Sequence, residues 1–335
     1  MTKTHSFLSL LAATALASLP AIAQARPVQR PPAAAPAAKI PALLAKLRNP
    51  DAGLMAVAHR GCHAPAPHHD LPGAPENSLA ALDHCVQLGV DIIEVDVRRT
   101  ADNHFVMVHD DTMDRTTAGT GRVADLTLAQ IKALPLRDGI GGKNAALTTH
   151  VTPTLEEFLA HARGRILINL DIKAGVYGDD KDAIYRDVAA VADRLGMRDH
   201  IIIKTTATPE SPPFAQEPPF DQFAYMPMIA SPGDESALAS VIARQASGRI
   251  KPVAYEVPPI SQTIAGSLVA AARHHQGRLW ANSLWEGKIR GVGGDLEALR
   301  HPDKVWGQYL RTGVSIIQTD EPEALLRFAR SKQPG

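Results

Sequence analysis

Nine short apolar runs, most of them rich in β-branched residues, alternate with amphipathic helical segments from residue 55 onward. This alternation constrains the fold most, because strands separated by helices form a mainly parallel sheet with helical crossovers. Nine runs over roughly 270 residues favour an α/β barrel of eight strands over a small open sheet. No glycine-rich dinucleotide fingerprint follows the first run, which weakens the alternative of a doubly wound sheet. The predicted strands are 55–59, 92–97, 105–109, 165–173, 200–204, 223–230, 252–257, 278–283 and 315–320.

One connection does not fit an ideal barrel. Between Val97 and Phe105 there are too few residues for a helical crossover between parallel strands. Either these two strands form a hairpin, or the barrel lacks a helix at this point. We therefore predict a somewhat irregular barrel with an insertion after the third strand.

The N-terminus carries a targeting signal. Lys3 precedes a short apolar run that ends on the small-residue pattern Ala21-Ile22-Ala23, which is typical of a cleaved secretory signal peptide rather than a membrane anchor. We predict a signal peptide at 1–23, a Pro/Ala-rich linker at 24–48 and one catalytic domain at 49–331. The expected location is periplasmic or secreted, with no stable membrane span after cleavage. In an oxidising compartment, Cys62 and Cys85 could form a disulfide.

The overall charge argues against a nucleic-acid partner. The chain has 35 Lys and Arg against 35 Asp and Glu, and only 4% of its residues are aromatic. Proteins that bind nucleic acids normally present a basic face, and those that bind single strands stack bases on aromatic side chains. We expect a small-molecule partner.

Carboxylates interrupt two of the predicted strands. Side chains two residues apart on a strand face the same side, so Glu94 and Asp96 project together, as do Asp171 and Lys173. Three carboxylates on neighbouring strands would form a hard oxygen site suited to Mg²⁺ or Ca²⁺. The alternative is that they form salt bridges with Lys173 and with the arginines at positions 98 and 99.

Two histidines end predicted strands. His59 closes the first strand and His109 the third, so that both would lie at the end of a barrel where active sites are built. Beside a metal they indicate a general acid and a general base. Arg60 and Lys173 would supply positive charge to a transferring phosphate. This combination predicts phosphodiester cleavage.

The ordered motifs resemble the glycerophosphodiester phosphodiesterase family. The similarity extends over about residues 55–330, and the set is specific although its first motif alone is weak. The matching motifs are HRG at 59–61, PENS at 75–78, EVDV at 94–97, HDD at 109–111, DRTTAGTG at 114–121, DIK at 171–173 and TDEP at 319–322.

The resemblance implies a TIM (βα)8-type barrel and an enzyme that hydrolyses glycerophosphodiesters to glycerol 3-phosphate and an alcohol. It implies a divalent metal, Mg²⁺ or Ca²⁺. By the matched positions, the implied residues are His59 and His109 as the acid/base pair, Arg60 and Lys173 on the phosphate, and Glu94, Asp96 and Asp171 as metal ligands. Glu76 is either a further site residue, as a ligand or an orienting group, or a charge stabilising the start of a helix at 77–88.

Two departures from the family pattern keep other readings open. Asp171 stands where Glu is usual, as in related phospholipase D-type toxins, so a phospholipase D/C-type enzyme acting on lysophospholipid or sphingolipid head groups is the alternative. Such an enzyme would need an apolar groove, for which Trp280, Trp285 and Phe214 are candidates, and the alternative is that they belong to the core. The long loop 62–74 contains three histidines and an aspartate, which form either a Zn²⁺ site or a solvated specificity loop. A non-catalytic glycerophosphoryl-binding protein is the third possibility, disfavoured because every motif residue is present.

Overall fold

The structure of the chain, a computed structural model, describes Met1 and residues 39–173, 181–214 and 220–332. The chain divides into two units, Met1–Pro31 and Pro32–Gly335, and the fold described below belongs to the second. Apart from Met1, the predicted signal peptide and the linker up to residue 38 lie outside the described residues. The signal peptide and the domain boundaries therefore stay predictions.

Strands and helices alternate along the described part of the chain. The strands are β1 (Met55–Ala58), β2 (Ile92–Arg99), β3 (Phe105–Met107), β4 (Pro135–Arg137), β5 (Leu147–Val151), β6 (Leu167–Ile172), β7 (Ile201–Ala207), β8 (Ala224–Ile229), β9 (Ala254–Glu256), β10 (Ile260–Ser261), β11 (Arg278–Asn282), β12 (Ile289–Arg290) and β13 (Ile316–Thr319). The α-helices are α1 (Lys39–Arg48), α2 (Leu79–Leu88), α3 (Leu128–Lys132), α4 (Leu155–Ala162), α5 (Lys181–Arg194), α6 (Leu238–Ala246), α7 (Gln262–His274), α8 (Asp295–Ala298), α9 (Pro302–Arg311) and α10 (Pro322–Ser331).

Eight of the described strands form a closed parallel barrel. Their order is β1, β2, β6, β7, β8, β9, β11 and β13, and β13 pairs back onto β1. Each of the nine predicted strand regions contains an observed strand, and eight of them belong to the barrel. The predicted (βα)8 fold is therefore confirmed.

The short connection after β2 is a hairpin. β3 runs antiparallel to β2, with Val97 opposite Met107, so β3 lies outside the closed barrel. The chain then continues through α3 and the antiparallel pair β4 and β5 before α4 leads back to the barrel at β6. The predicted insertion is present, and the question of how the two strands pair is settled in favour of the hairpin.

The side chains inside the barrel change character along its axis. On β2, Ile93, Val95 and Val97 face outward and pack with the surrounding helices, which leaves Ile92, Glu94 and Asp96 on the inner face. Near the N-terminal ends of the strands this inner face is apolar and packs as one cluster, which includes Met55, Val57, Ile92, Leu167, Ile202, Trp280 and Ile316. Towards the carboxyl ends the inner positions are polar, which is where barrel active sites lie.

Helix α1 packs against the apolar end of the barrel. Its buried residues Ile40, Leu44 and Leu47 join the inner apolar cluster, and full burial of Leu47 contributes about 1.5–3 kcal/mol. Helical structure therefore begins ten residues before the predicted domain start at 49, within the predicted linker. The apolar spacing of residues 40, 44 and 47 explains the helix. The Pro/Ala-rich composition of the preceding residues is the reason that the linker was predicted to extend to residue 48. Among the helices described, none has the length and apolar character needed to cross a membrane.

Candidate active site

Charged side chains form a compact layer at the carboxyl ends of the barrel strands. Glu94 and Asp96 come from β2, and Asp171 from β6. Lys204 from β7 and Glu256 from β9 complete the layer. The in-register pairing of Asp96 with Asp171 brings the predicted ligands onto adjacent strands. The expected convergence of Glu94, Asp96 and Asp171 is present in the structure.

The three predicted metal ligands lie close enough to share one cation. Each of Glu94, Asp96 and Asp171 offers a carboxylate oxygen, and these oxygens all lie within 4.8 Å of one another. Two lysines already bridge them: Lys204 Nζ lies 3.0 Å from Glu94 and 3.2 Å from Asp171, and Lys173 Nζ lies 3.0 Å from Asp96 and 2.7 Å from Asp171. The cluster thus combines salt bridges with the geometry of a hard-cation site.

The charge balance of this layer favours a further cation. Burial raises the pKa of Asp96, but Lys173, His109 and Arg60 together hold it below its ordinary value. Burial likewise disfavours the charged form of Lys204, yet the surrounding carboxylates raise its pKa well above the usual range. The four carboxylates of this layer face three cations, Lys173, Lys204 and Arg60, so negative charge remains in formal excess by one.

The donor chemistry also fits a divalent metal. Carboxylate oxygens are the ligands that Mg²⁺ and Ca²⁺ prefer. Asp96 Oδ1 is buried and makes no hydrogen bond among the described residues, although Lys173 Nζ lies 3.0 Å away. The other carboxylate oxygen of Asp96 accepts from Asn77 Nδ2 at 3.0 Å. Asp96 is therefore held in place with one oxygen left for a ligand.

His59 is held by a carboxylate that follows the last barrel strand. Its Nδ1 lies 2.8 Å from Asp320 Oδ1, and His63 Nε2 lies 3.0 Å from the same oxygen. Burial lowers the pKa of His59, but the hydrogen bond to Asp320 and the nearby charge of Glu94 raise it above its ordinary value. Although burial raises the pKa of Asp320, the two imidazoles hold it well below its usual range. Asp320 thus engages Nδ1 of His59, which leaves Nε2 as the ring nitrogen facing other partners.

His109 has a matching arrangement. Its Nδ1 lies 2.8 Å from Asp110 Oδ1, and Arg115 binds the same carboxylate through Nε at 2.7 Å. The hydrogen bonds from His109 and Arg115 hold the pKa of Asp110 well below its usual range. His109 and Asp96 interact electrostatically, so this histidine adjoins the carboxylate cluster as His59 does. The site therefore contains two histidines, each oriented by an aspartate.

Glu76 orients arginines. It binds Arg60 Nη1 at 3.2 Å and Arg115 through two nitrogens at 2.7 and 2.8 Å. The start of α2 is capped instead by Ser78, whose hydroxyl accepts from the Ala81 N–H. Of the two readings of Glu76, the structure favours the orienting group.

The turn after β1 brings Arg60 over the site. Arg60 has φ +56°, and its backbone N–H donates to Glu94 at 3.1 Å. Gly61 follows with φ +87°, where a Cβ atom would lie 2.8 Å from the Ala81 Cβ. Only glycine fits this position without displacing α2. The glycine of the His-Arg-Gly sequence is thus a requirement of the turn.

The structure bears on several alternatives that the sequence leaves open. Lys173 does pair with the carboxylates, but Arg98 binds the His109 carbonyl oxygen and Asp111 instead. Trp280 is fully buried in the barrel and therefore belongs to the core. Phe214 is partly buried and packs against Tyr185 and Tyr225. Trp285 is 65% exposed beside His59.

The histidine-rich loop does not gather its histidines into one site in the described structure. His63 binds Asp320, His69 binds Glu323 at 2.7 Å, and His68 contacts Arg327. These partners lie just before or on α10, so the loop is fastened to that helix. The geometry disfavours a zinc site within the loop.

Cys62 and Cys85 form a disulfide. Their Cα atoms lie 5.1 Å apart, and both side chains are buried. The bond joins the segment after the His-Arg-Gly turn to α2. It therefore braces the turn that carries His59 and Arg60.

Sequence reasoning missed several residues of the site. Lys204 and Glu256 are charged residues at the ends of apolar strands, the signal that identified Glu94 and Asp96, so they could have been found. The role of His63 could not, because its partner Asp320 is 257 positions away.

Comparison with known proteins identifies the family. Residues 59–272 match the model of the Glycerophosphoryl diester phosphodiesterase family. The chain belongs to this family. Residues 225–329 also match a family described as a domain of unknown function. A glycerophosphodiester phosphodiesterase of Caldanaerobacter subterraneus is 40% identical over 123 residues, which are 36% of this chain and 46% of that protein. The chain thus matches less than half the length of this curated relative.

Solved structures of family members share the barrel. A glycerophosphoryl diester phosphodiesterase from Parabacteroides distasonis aligns with a TM-score of 0.61 at 21% identity, covering 88% of this chain and 93% of that one. A phosphodiesterase from Oleispira antarctica, in complex with the product sn-glycerol-3-phosphate, aligns with a TM-score of 0.55 at 17% identity, covering 84% and 98%. At these identities the similarity supports the TIM-barrel fold.

Proposed function

We propose that this protein is an exported, metal-dependent glycerophosphodiester phosphodiesterase that releases glycerol 3-phosphate and an alcohol. The observation that carries the proposal is the pair of aspartate-held histidines on a three-carboxylate cluster at the barrel mouth. Family membership and the product bound by the Oleispira antarctica protein support the substrate class.

In this proposal Glu94, Asp96 and Asp171 would hold Mg²⁺ or Ca²⁺, which would supply positive charge against the phosphate. Arg60 and Lys173 add positive charge on the same side. One histidine takes a proton from the attacking oxygen as its bond to phosphorus forms. The other donates a proton to the alcohol oxygen as the phosphorus–oxygen bond breaks. The attacker is water or a hydroxyl of the substrate.

Export rests on the N-terminal sequence. The predicted signal peptide would direct the chain to the periplasm or the medium. The disulfide between Cys62 and Cys85 supports this, since such bonds persist in oxidising compartments. Fractionation of the native host followed by N-terminal sequencing tests it, and a cytoplasmic, uncleaved protein would contradict it.

The activity is tested with glycerophosphocholine, glycerophosphoethanolamine and lysophosphatidylcholine, each with Mg²⁺, Ca²⁺ or EDTA. Turnover of the first two with metal is expected. Turnover of lysophosphatidylcholine alone would instead favour the phospholipase alternative, and no turnover at all would refute the enzyme assignment.

The roles are tested by substitution. His59→Ala and His109→Ala should each abolish turnover, and Glu94→Gln should also weaken metal binding in calorimetry. His161→Ala is the matched control, because His161 pairs with Asp83 at 2.9 Å outside the site. Near-normal turnover of His109→Ala would contradict the acid/base assignment.

A further inference from the structure

Trp285 is a large aromatic side chain exposed at the mouth of the barrel. Its ring centroid lies 6.1 Å from that of His59, with the ring planes at 83°. The residue is 65% exposed, whereas Trp280 and Trp306 are buried. A ring this exposed contributes less to folding than a buried one, and aromatic side chains are common in ligand sites.

The backbone is built to present this ring. Trp285 has φ +52°, a conformation that costs a non-glycine residue about 1–3 kcal/mol. A Cβ atom at position 294 would lie 1.9 Å from the Trp285 carbonyl oxygen. Gly294 therefore allows this loop to pack directly against the Trp285 backbone. The Asp295 N–H then donates to the Ser283 oxygen at 2.7 Å and fixes the loop ends. Backbone strain is thus maintained at a position whose side chain is mostly exposed.

We propose that Trp285 binds the alcohol part of the substrate and selects an alcohol that carries a quaternary ammonium group, such as choline. The carboxylates and lysines inside the barrel suit the phosphate and the glycerol hydroxyls. The indole face suits a weakly hydrated cation, which it attracts through the ring quadrupole. Two carboxylates belong to the same region: exposed Glu286 follows Trp285 in the chain, and the partly exposed Asp320 binds His59. This inference rests on the proposed function.

The test compares glycerophosphocholine with uncharged glycerophosphoglycerol. Trp285→Leu keeps an apolar side chain but removes the π face, and should raise KM for glycerophosphocholine about tenfold while changing that for glycerophosphoglycerol by less than about twofold. Trp285→Phe retains a π face and should keep part of the preference for glycerophosphocholine over glycerophosphoglycerol. Leu296→Ala, at another exposed apolar residue, is the control and should leave KM unchanged for both substrates.

An equal rise in KM for both substrates, or a fall in kcat without a change in KM, would show that Trp285 only positions His59 and would overturn the proposal. Wild-type kinetics on both substrates with Trp285→Leu would overturn it as well.

Tryptophan fluorescence separates this inference from the proposed activity. Because the other two tryptophans are buried, glycerophosphocholine should change the emission of the exposed one, and Trp285→Phe should abolish that change. Glycerophosphocholine binding detected by this change in emission, without any turnover, would refute the phosphodiesterase activity but support Trp285 as a binding residue. Full turnover of glycerophosphocholine with no change in the emission of the wild-type protein would refute binding at Trp285 but support the phosphodiesterase activity.

Discussion

Replacing Asp320 by Asn tests how the structure controls the protonation of His59. Asp320 Oδ1 lies 2.8 Å from His59 Nδ1 and 3.0 Å from His63 Nε2. Burial lowers the pKa of His59, and the hydrogen bond to Asp320 is the leading influence that raises it. An amide keeps the shape and one acceptor oxygen, but it removes the charge that stabilises the imidazolium.

The magnitude follows from the difference between charged and neutral hydrogen bonds. A bond to a charged group is roughly twice as strong as a neutral one, a difference of about 1–1.5 kcal/mol. Solvent screens this pair little, since the His59 and Asp320 side chains are 11% and 25% exposed. We therefore expect the limb of the pH–rate profile that reports His59 to move by about one pH unit, and kcat/KM to fall at least about tenfold.

The assay is the pH dependence of kcat/KM for glycerophosphocholine. Loss of the charge lowers the pKa of His59, so its limb moves to lower pH whether His59 acts as base or as acid. Movement of the acidic limb would identify His59 as the base, and movement of the basic limb would identify it as the acid. His63→Ala is the control, because it leaves the His59–Asp320 contact intact and should not move the limb downward. A variant Asp320→Asn with a wild-type profile would refute the reasoning.

Three further predictions concern stability. Burial raises the pKa of Asp295 from 3.8 to about 6, so the folded protein keeps a proton that the unfolded chain loses. The unfolding free energy should therefore fall by about 3 kcal/mol as the pH rises through this window, and Asp295→Asn should flatten the fall in urea titrations. Lys204→Met leaves Glu94 without its buried cation and should cost about 3–5 kcal/mol in EDTA, partly restored by Mg²⁺; equal stability with and without metal would contradict the metal site. Replacing Cys62 and Cys85 by alanine should cost about 3 kcal/mol in thermal unfolding, and an unchanged Tm would show that the bond contributes nothing.

Local patterns predicted the parts of the site that lie within single strands. The two-residue repeat of a strand placed Glu94 and Asp96 on one face, and helical crossovers forced the strands to run parallel. Both results hold because they depend on backbone geometry over a few residues. The same reasoning would have found Lys204, which ends an apolar strand in the same way.

Contacts between distant segments were decided by the tertiary structure alone. Sequence contained His59, His63 and Asp320, but only closure of the barrel, with β13 pairing onto β1, brings Asp320 to the two histidines. The exposed place of Trp285 beside His59 and the buried place of Trp280 have the same origin, since each tryptophan follows a leucine and the two lie only five positions apart in the chain. The sequence by itself determined the strands, their inner faces and the kinds of chemistry they carry. Which of those groups come into contact depended on closure of the barrel and on loop packing. Both bring together residues that lie far apart in the chain, where no sequence periodicity indicates a contact.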